Sequence, residues 1–260
     1  MNQVEASIIS NSEIMPGTYL TWLESPQIAT QARPGQFVMV RCGKKYLLRR
    51  PLSILQVDEN KENIALLYSV VGLGTQWLSQ CKPGDSINLL GPLGNGFSID
   101  PNAQNLLLVA GGIGIAPLRF LANEALNQER PVTLLSGAPT AAQLYPEHLL
   151  PPEVKLVTAT EDGTAGKNGM VTDLLPDFAI RSDLIFACGP MPMYRNMSVK
   201  KREFGLEGKP VQISLEMRMG CGRGICYSCT IKTKDGLKQV CEDGPVFELE
   251  DILWDELAHA

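Results

Sequence analysis

Four of the seven cysteines fall in one stretch, GCGRGICYSCTIKTKDGLKQVC, as Cys221, Cys226, Cys229 and Cys241. Their spacing is C-x4-C-x2-C-x11-C. Three chemistries compete for such a set: a disulfide framework, a zinc site and an iron–sulfur cluster. An odd cysteine count fits paired disulfides poorly. Structural zinc sites join two short C-x2-C knuckles or mix Cys with His. The only histidines, His148 and His259, stand far from the cysteines in sequence. Four then two residues between thiols is the plant-type [2Fe–2S] spacing. Gly220, Gly222 and Gly224 would let the loop curl and bring N–H groups to the sulfurs. The gap of eleven before the fourth cysteine is short for that class and implies a shortened domain. A zinc-stabilised, non-redox binding module is the reading from another class. Cys42 and Cys81 read as small buried residues.

A cluster moves single electrons, so the rest of the chain should hold a donor or acceptor. RRPLS places Arg50 three residues before Ser53. A guanidinium fork and a hydroxyl can hold a phosphate, although a solvated pair of edge-strand charges has the same sequence. AGGIGIAP places Gly111, Gly112 and Gly114 between an apolar run and a helical pattern. The dinucleotide fingerprint fails there: Pro117 takes the third glycine's place, and no Asp or Glu follows at about twenty residues. A helix start after a glycine turn still offers N–H groups to a phosphate, and a plain tight turn would look alike. Cys188-Gly189-Pro190 ends another apolar run, where ligands bind in open α/β sheets. Cys188 reads there either as a nicotinamide neighbour or as a small packed residue. No catalytic acid or base stands out, and His148 reads as a surface residue.

These residues need elements to hold them. Residues 1–98 carry short runs rich in Val, Ile, Leu, Tyr and Thr, broken at Pro16-Gly17, Pro34-Gly35, Asp58–Asn60 and Pro83-Gly84. This predicts a small antiparallel barrel with one short helix over 74–80. Residues 99–212 alternate apolar strands with helical patterns, which predicts an α/β domain with a parallel sheet. Expected helices begin after GGIGIAP, with Leu118, Leu121, Ala122 and Ala125 on one face, around Val171–Pro176, and from Pro190 to about Phe204. Residues 213–260 form the cysteine domain. After Cys241 there is no Lys or Arg but seven Asp or Glu.

At 260 residues, 44% hydrophobic and 20% charged, the chain has ordinary globular composition. A net charge of −5 gives no general attraction to nucleic acid. No apolar run is long enough to span a membrane. The first residues, MNQVEASIISNSEI, lack the pattern of a signal peptide, so a cytoplasmic location is expected.

The order of parts, a barrel with Arg50-x-x-Ser53, then GGxGxAP, then CGP, is similar to the ferredoxin–NADP reductase superfamily. With its cysteine domain, the whole chain resembles the electron-transfer subunits of NAD-dependent dihydroorotate dehydrogenases. RRPLSI, GLGT, AGGIGIAP, ACGP and GCGRGICYSC…VCEDGPVF carry the likeness. The resemblance implies FAD on Arg50, Pro51, Leu52 and Ser53, on Leu67, Tyr68 and Ser69, and on the Gly74-Thr75 turn. Many relatives have Arg where Ser69 stands. It implies NAD(H) at Gly111, Gly112 and Gly114 and at Cys188, Gly189 and Pro190. It implies a [2Fe–2S] cluster on all four cysteines, Cys241 included. It also implies an FMN-containing catalytic subunit as partner, in a heterotetramer of two copies of each. Hydride would pass directly to the flavin, so no catalytic thiol is needed. The same module could instead serve a hydrogenase, a sulfide-linked or a ferredoxin-linked enzyme. Ser136 to Tyr145 follow the second α/β strand and contain no Arg, Lys or His, which predicts NAD(H) over NADP(H).

Overall fold

Alternating side chains close the first third of the chain into a barrel. In the computed structural model, which describes residues 1–257, six strands build it. They are β1 (Asn2–Met15), β2 (Thr18–Glu24), β3 (Phe37–Val40), β4 (Arg50–Val57), β5 (Asn63–Ser69) and β6 (Ser86–Leu93). They close in the order β1-β2-β5-β4-β3-β6, with every pair antiparallel. Two short helices, α1 (Pro26–Ala29) and α2 (Leu73–Ser79), interrupt the strands. β5 shows what alternation does: Ile64, Leu66 and Tyr68 fill the barrel, while Ala65 and Leu67 turn outward into a second core. β1 is not among the expected strands. Its sequence is mostly polar, with Ala6 and Ile8 alone buried midway along it, so its hydrophobic signal is faint.

The second unit is a seven-stranded sheet. Its strands are β7 (Leu106–Gly111), β8 (Val132–Ala138), β9 (Lys155–Thr160), β10 (Lys167–Asn168), β11 (Leu184–Cys188), β12 (Val211–Ser214) and, after a separate hairpin of β13 (Thr230–Thr233) and β14 (Gly236–Gln239), β15 (Val246–Glu248). The order is β10-β9-β8-β7-β11-β12-β15, parallel except for β15. The central strand β7 buries Leu107 and Val109 on one face, and Leu106, Leu108 and Ala110 on the other. Cover on both faces is why it reads as an unbroken apolar run. Helix α3 (Ile115–Asn127) packs against β4 and places Leu118, Leu121, Ala122 and Ala125 in the core that also holds Leu55 of β4 and the outward residues of β5. One helix thereby cements barrel to sheet.

Two expected helices differ in the structure. Val171–Leu174 is a tight 3-10 turn, and α4 (Leu175–Phe178) starts afresh behind it. Pro176 lies in the first turn of α4, where its missing N–H costs nothing, and so cannot extend a helix already running. Helix α5 (Met191–Val199) stops before Phe204, and turns including Gly205 at φ +69° lead on to β12. β15 joins the cysteine segment to the nucleotide sheet. Leu215 N–H also donates to the Pro245 carbonyl at 2.9 Å. His259 lies outside the described residues.

Candidate functional site: two cavities and a cysteine loop

A cavity of about 430 Å³ opens between β4, β5, the start of α2 and the segment after β12. Arg50, Pro51, Leu52, Ser53, Leu67, Tyr68, Ser69 and Thr75 all line it. Arg50 Nη1 donates to the Leu48 carbonyl at 2.6 Å. None of the ion pairs among the described residues engages Arg50. Gly74 leaves the guanidinium its room, since a Cβ there would lie 2.8 Å from Arg50 Nε. Thr75 Oγ1 accepts the Val71 N–H at 3.0 Å and shapes the turn. Tyr68 keeps its hydroxyl inside the barrel, donating to Asn11 Oδ1 at 3.2 Å, and burial pushes its pKa up to about 12. Ser69 shares a 3.0 Å hydrogen bond with Thr18, so the hydroxyl standing in place of Arg is spent on the barrel. An unpaired guanidinium beside a cradle that one methyl would crowd fits a diphosphate such as that of FAD.

A larger cavity, about 680 Å³, lies over the C-terminal edge of the sheet. Gly111, Gly112, Gly189 and Pro190 line it. Gly112 holds φ +54°, a conformation that side chains disfavour. Gly114 is not on the wall. It is needed for close approach, because a Cβ there would lie 2.0 Å from the Cys188 carbonyl oxygen. Cys188 is fully buried behind the wall, with Sγ 3.6 Å from the Ser214 carbonyl. Burial drives its thiol pKa well up, so it is no ready nucleophile. Tyr194 ties this corner together: its hydroxyl accepts the Gly189 N–H at 2.8 Å and donates to the Ser214 carbonyl at 2.6 Å.

The two cavities share Ile113 and Glu216. Protein surrounds the Glu216 carboxyl on most sides and pushes its pKa up. The residue still counts as exposed, because both open cavities bring water to it. A ligand in either cavity would remove that water. Sequence reasoning passed over Glu216 and Glu161, both of which are on the walls, while Ile113 lies within the GGIGIAP stretch. No local pattern marks the two acids: Glu161 reaches its wall through the parallel packing of β9 beside β8, and Glu216 through the docking of the segment after β12 on the barrel.

Beyond Glu216 the first cavity is walled by Met217, Arg218, Met219 and Pro245. The cysteine loop begins there. Backbone N–H groups point at its sulfurs: Arg223 and Ile225 to Cys221 Sγ at 3.3 and 3.4 Å, Gly224 to Cys241 Sγ at 3.2 Å, and Cys241 to Cys229 Sγ at 3.4 Å. Such donors favour thiolates and tune a bound cluster. Cys229 and Cys241 are buried, and Cys226 is exposed. The Cys226 thiol is held down to about 6, chiefly by the Ser228 hydroxyl and N–H, and then by the Cys221 thiol. Cys241 is pushed up to about 12, first by burial, with Cys229 beside it. Among the described residues no three Cys, His, Asp or Glu converge closely enough for a single ion. A two-iron cluster takes two thiolates per iron, and four cysteines on one segment under backbone N–H donors fit that demand.

The loop is seated on the barrel. A Cβ on Gly222 would lie 2.6 Å from Met39 Cγ. Asn95, just past β6, donates its side-chain amide to the Glu242 and Asp243 carbonyls at 3.1 and 3.0 Å.

Comparison with known proteins agrees with this geometry. Residues 6–97 match the oxidoreductase FAD-binding domain, and 108–198 the oxidoreductase NAD-binding domain. Residues 216–253 match the iron-sulfur cluster binding domain of dihydroorotate dehydrogenase B. The chain is 39% identical to the electron transfer subunit of dihydroorotate dehydrogenase B (NAD(+)) from Desulforamulus reducens, over 96% of this chain and 98% of that one. It is 37% identical to the Geobacillus thermodenitrificans subunit, over 95% and 97%. A solved structure described as NADH-dependent reduced ferredoxin-NADP oxidoreductase superposes with a TM-score of 0.88 at 33% identity, covering 98% of this chain and 91% of that one. An antiparallel barrel, a nucleotide sheet and a cysteine loop joined in this order place the chain in the family of dihydroorotate dehydrogenase B electron transfer subunits.

Proposed function

We propose that this protein carries electrons between NAD(H) and a catalytic partner that oxidises dihydroorotate, serving pyrimidine biosynthesis. One observation supports this most: the two cavities and the cysteine loop form an unbroken series. The nucleotide cavity meets the flavin cavity at Ile113 and Glu216, and the flavin cavity meets the cysteine loop at Met217 to Met219. When bound, FAD exchanges a hydride with NAD(H) and single electrons with a [2Fe–2S] cluster. The chain's own residues position and insulate. Arg50 and Ser53 bind the flavin phosphates, beside Pro51, Leu52, Leu67, Tyr68, Ser69, Gly74 and Thr75. Gly111, Gly112, Gly189 and Pro190 leave backbone surface for the nicotinamide nucleotide, and Gly114 and Cys188 hold those turns together. Cys221, Cys226, Cys229 and Cys241 hold the cluster. Among the described residues no Lys, Arg or His lines the nucleotide cavity, which supports NAD(H) over NADP(H). The units of this reading are 1–98, 99–212 and 213–260, with β15 returning to the middle one.

The partner of this reading is an FMN-containing catalytic subunit, two copies of each chain forming a heterotetramer in the cytoplasm. No helix among the described residues is long and apolar enough to cross a membrane. Cys226 is exposed, and Ile225 and Tyr227 stand 68% exposed on either side of it. That edge is the docking face. The acidic tail is a poorer candidate, since Glu250 and Glu256 pair with Lys201 and Lys232 of the same chain.

The experiment is co-expression with the catalytic subunit. Copurification and NAD+-dependent dihydroorotate oxidation by the complex are expected, with flavin and cluster absorption in this chain. A colourless, zinc-loaded chain would end the redox reading. The likeness to the NADH-dependent ferredoxin-NADP oxidoreductase structure supports a second reading, the same module with a ferredoxin-linked partner. A coloured chain that binds no dihydroorotate dehydrogenase subunit would favour it.

A further inference from the structure

We propose that the Tyr194 hydroxyl fixes the spacing between the wall that holds the nicotinamide and the wall that holds the flavin, which makes Tyr194 a positioning residue for hydride transfer. The inference rests on the NAD(H) and FAD reading above. Strand order sets the two walls side by side, because β11 and β12 are neighbours in the sheet. The turn after β11, Gly189-Pro190, lines the nucleotide cavity. The end of β12, Ser214 to Glu216, lines the flavin cavity. The cavities meet at Glu216, so the reactive end of the nucleotide lies at this corner.

Tyr194 stands in the first turn of α5, behind the corner and on neither cavity wall. It is fully buried. One oxygen spans the two walls: it accepts the Gly189 N–H at 2.8 Å and donates to the Ser214 carbonyl at 2.6 Å. Burial pushes the phenol pKa well up, so the oxygen keeps the proton it donates. Both ends of this strut are anchored. A Cβ on Gly189 would lie 2.7 Å from Met193 Cε and 3.1 Å from Gly111 Cα, so that turn is pressed from two sides. The residue after Ser214 donates its N–H to the Pro245 carbonyl at 2.9 Å. The strut itself is backed by Trp254, whose ring lies 5.9 Å from the Tyr194 ring and whose Nε1 donates to the Leu249 carbonyl at 3.0 Å. Cys188 Sγ also reaches the Ser214 carbonyl, at 3.6 Å, but a thiol is too weak a donor to replace the phenol. In the reaction NADH gives a hydride, with its electron pair, to the flavin and becomes NAD+. Donor and acceptor atoms must approach to about 3–3.5 Å, and an error of about 1 Å costs on the order of a hundredfold. A strut between the two walls therefore acts on the rate of transfer more than on binding.

Tyr194→Phe removes the oxygen and keeps the ring. In the flavin-loaded variant, held below its Tm, stopped-flow reduction by NADH should slow about ten- to a hundredfold. The calorimetric dissociation constant for NAD+ should stay nearly unchanged, since the other walls of the cavity are untouched. The long-wavelength charge-transfer absorption between reduced flavin and NAD+ should fade, because it needs the two rings in register. Trp254→Leu keeps the hydroxyl and frees the ring. It should slow transfer in the same direction, and is read if the Phe variant does not fold. A folded variant with lowered Tm but wild-type transfer rate and charge-transfer absorption would reduce Tyr194 to packing and overturn the proposal. A wild type whose flavin NADH cannot reduce would instead overturn the reading on which it rests.

Discussion

The backbone at Gly114 runs so close to Cys188 that a Cβ there would lie 2.0 Å from the Cys188 carbonyl oxygen. The turns after β7 and β11 therefore touch through main chain, with no side chain able to yield. Gly114→Ala should cost about 1–3 kcal/mol or more as overpacking against a rigid neighbour. It should also spread the two turns that flank the nucleotide cavity. We expect a lower Tm and a raised KM for NADH. A variant with wild-type Tm and KM would show that the contact can relax.

Cys188 itself is a packing residue on this geometry. Cys188→Ala should keep NADH-dependent reduction of an artificial acceptor and lose only about 1 kcal/mol of stability, the cost of a small cavity. Abolished turnover in a folded, flavin-loaded variant would restore a chemical role to the thiol.

Arg50 and Gly74 form a pair that separates affinity from stability. Arg50→Ala removes a charged contact worth about 1.5–3 kcal/mol, hence about ten- to a hundredfold in flavin retention. Gly74→Ala meets only the flexible guanidinium, with a Cβ 2.8 Å from Nε. It should displace Arg50 and weaken FAD while leaving the apoprotein's Tm nearly unchanged. Gel filtration followed by flavin fluorescence measures retention in both variants.

Cys226→Ser removes the exposed ligand of the cysteine set. The reduced protein should lose its [2Fe–2S] paramagnetic resonance signal and its iron, while FAD stays bound in its separate cavity. Unaltered iron content and signal would mean that another residue completes the site.

Burial raises the folded-state pKa of Glu216 above its ordinary value of 4.5. A raised carboxyl pKa means that ionisation costs the folded state free energy. The penalty is absent below the unfolded pKa and grows as pH climbs through the folded one. Glu216→Gln should therefore raise Tm at pH 8 and change it little at pH 4. Because Glu216 borders both cavities, the variant should also alter the flavin spectrum on NAD+ addition. Thermal unfolding at the two pH values, with difference spectra, checks both.

The cysteine spacing, RRPLS and the glycine turns were legible because each is a contiguous chemical pattern. A strand end, a turn or a loop places its own residues together. The strand alternation of β5 and the apolar run of β7 likewise record what covers them. Glu216 and Met217 were not legible, because they reach the flavin cavity only once barrel, sheet and cysteine segment dock, and Glu161 was not, because only the parallel sheet brings the end of β9 beside the glycine turn after β7. Cys188 carried two readings from its place in the turn, a nicotinamide neighbour or a small packed residue, and the pleat sends its side chain to the buried side. β15 gave too little signal in three residues, and its pairing with β12 is long-range. Lysines elsewhere in the chain meet three of the acids in the tail, Asp243, Glu250 and Glu256, which composition alone shows only as unbalanced charge.

β15 has a consequence for how the molecule is made. Its three residues close the outer edge of β12, yet they follow the last cysteine in sequence. During synthesis the nucleotide sheet stays open at that edge until residues 246–248 have been made. The cysteine segment must then be folded back, with Gly222 against Met39 and Asn95 bonded to the Glu242–Asp243 turn, before the edge can be sealed. The segment that carries the cysteines is thus tethered at both ends to the nucleotide sheet, through β12 before it and β15 after it, and the paired β15 leaves no open β edge at β12.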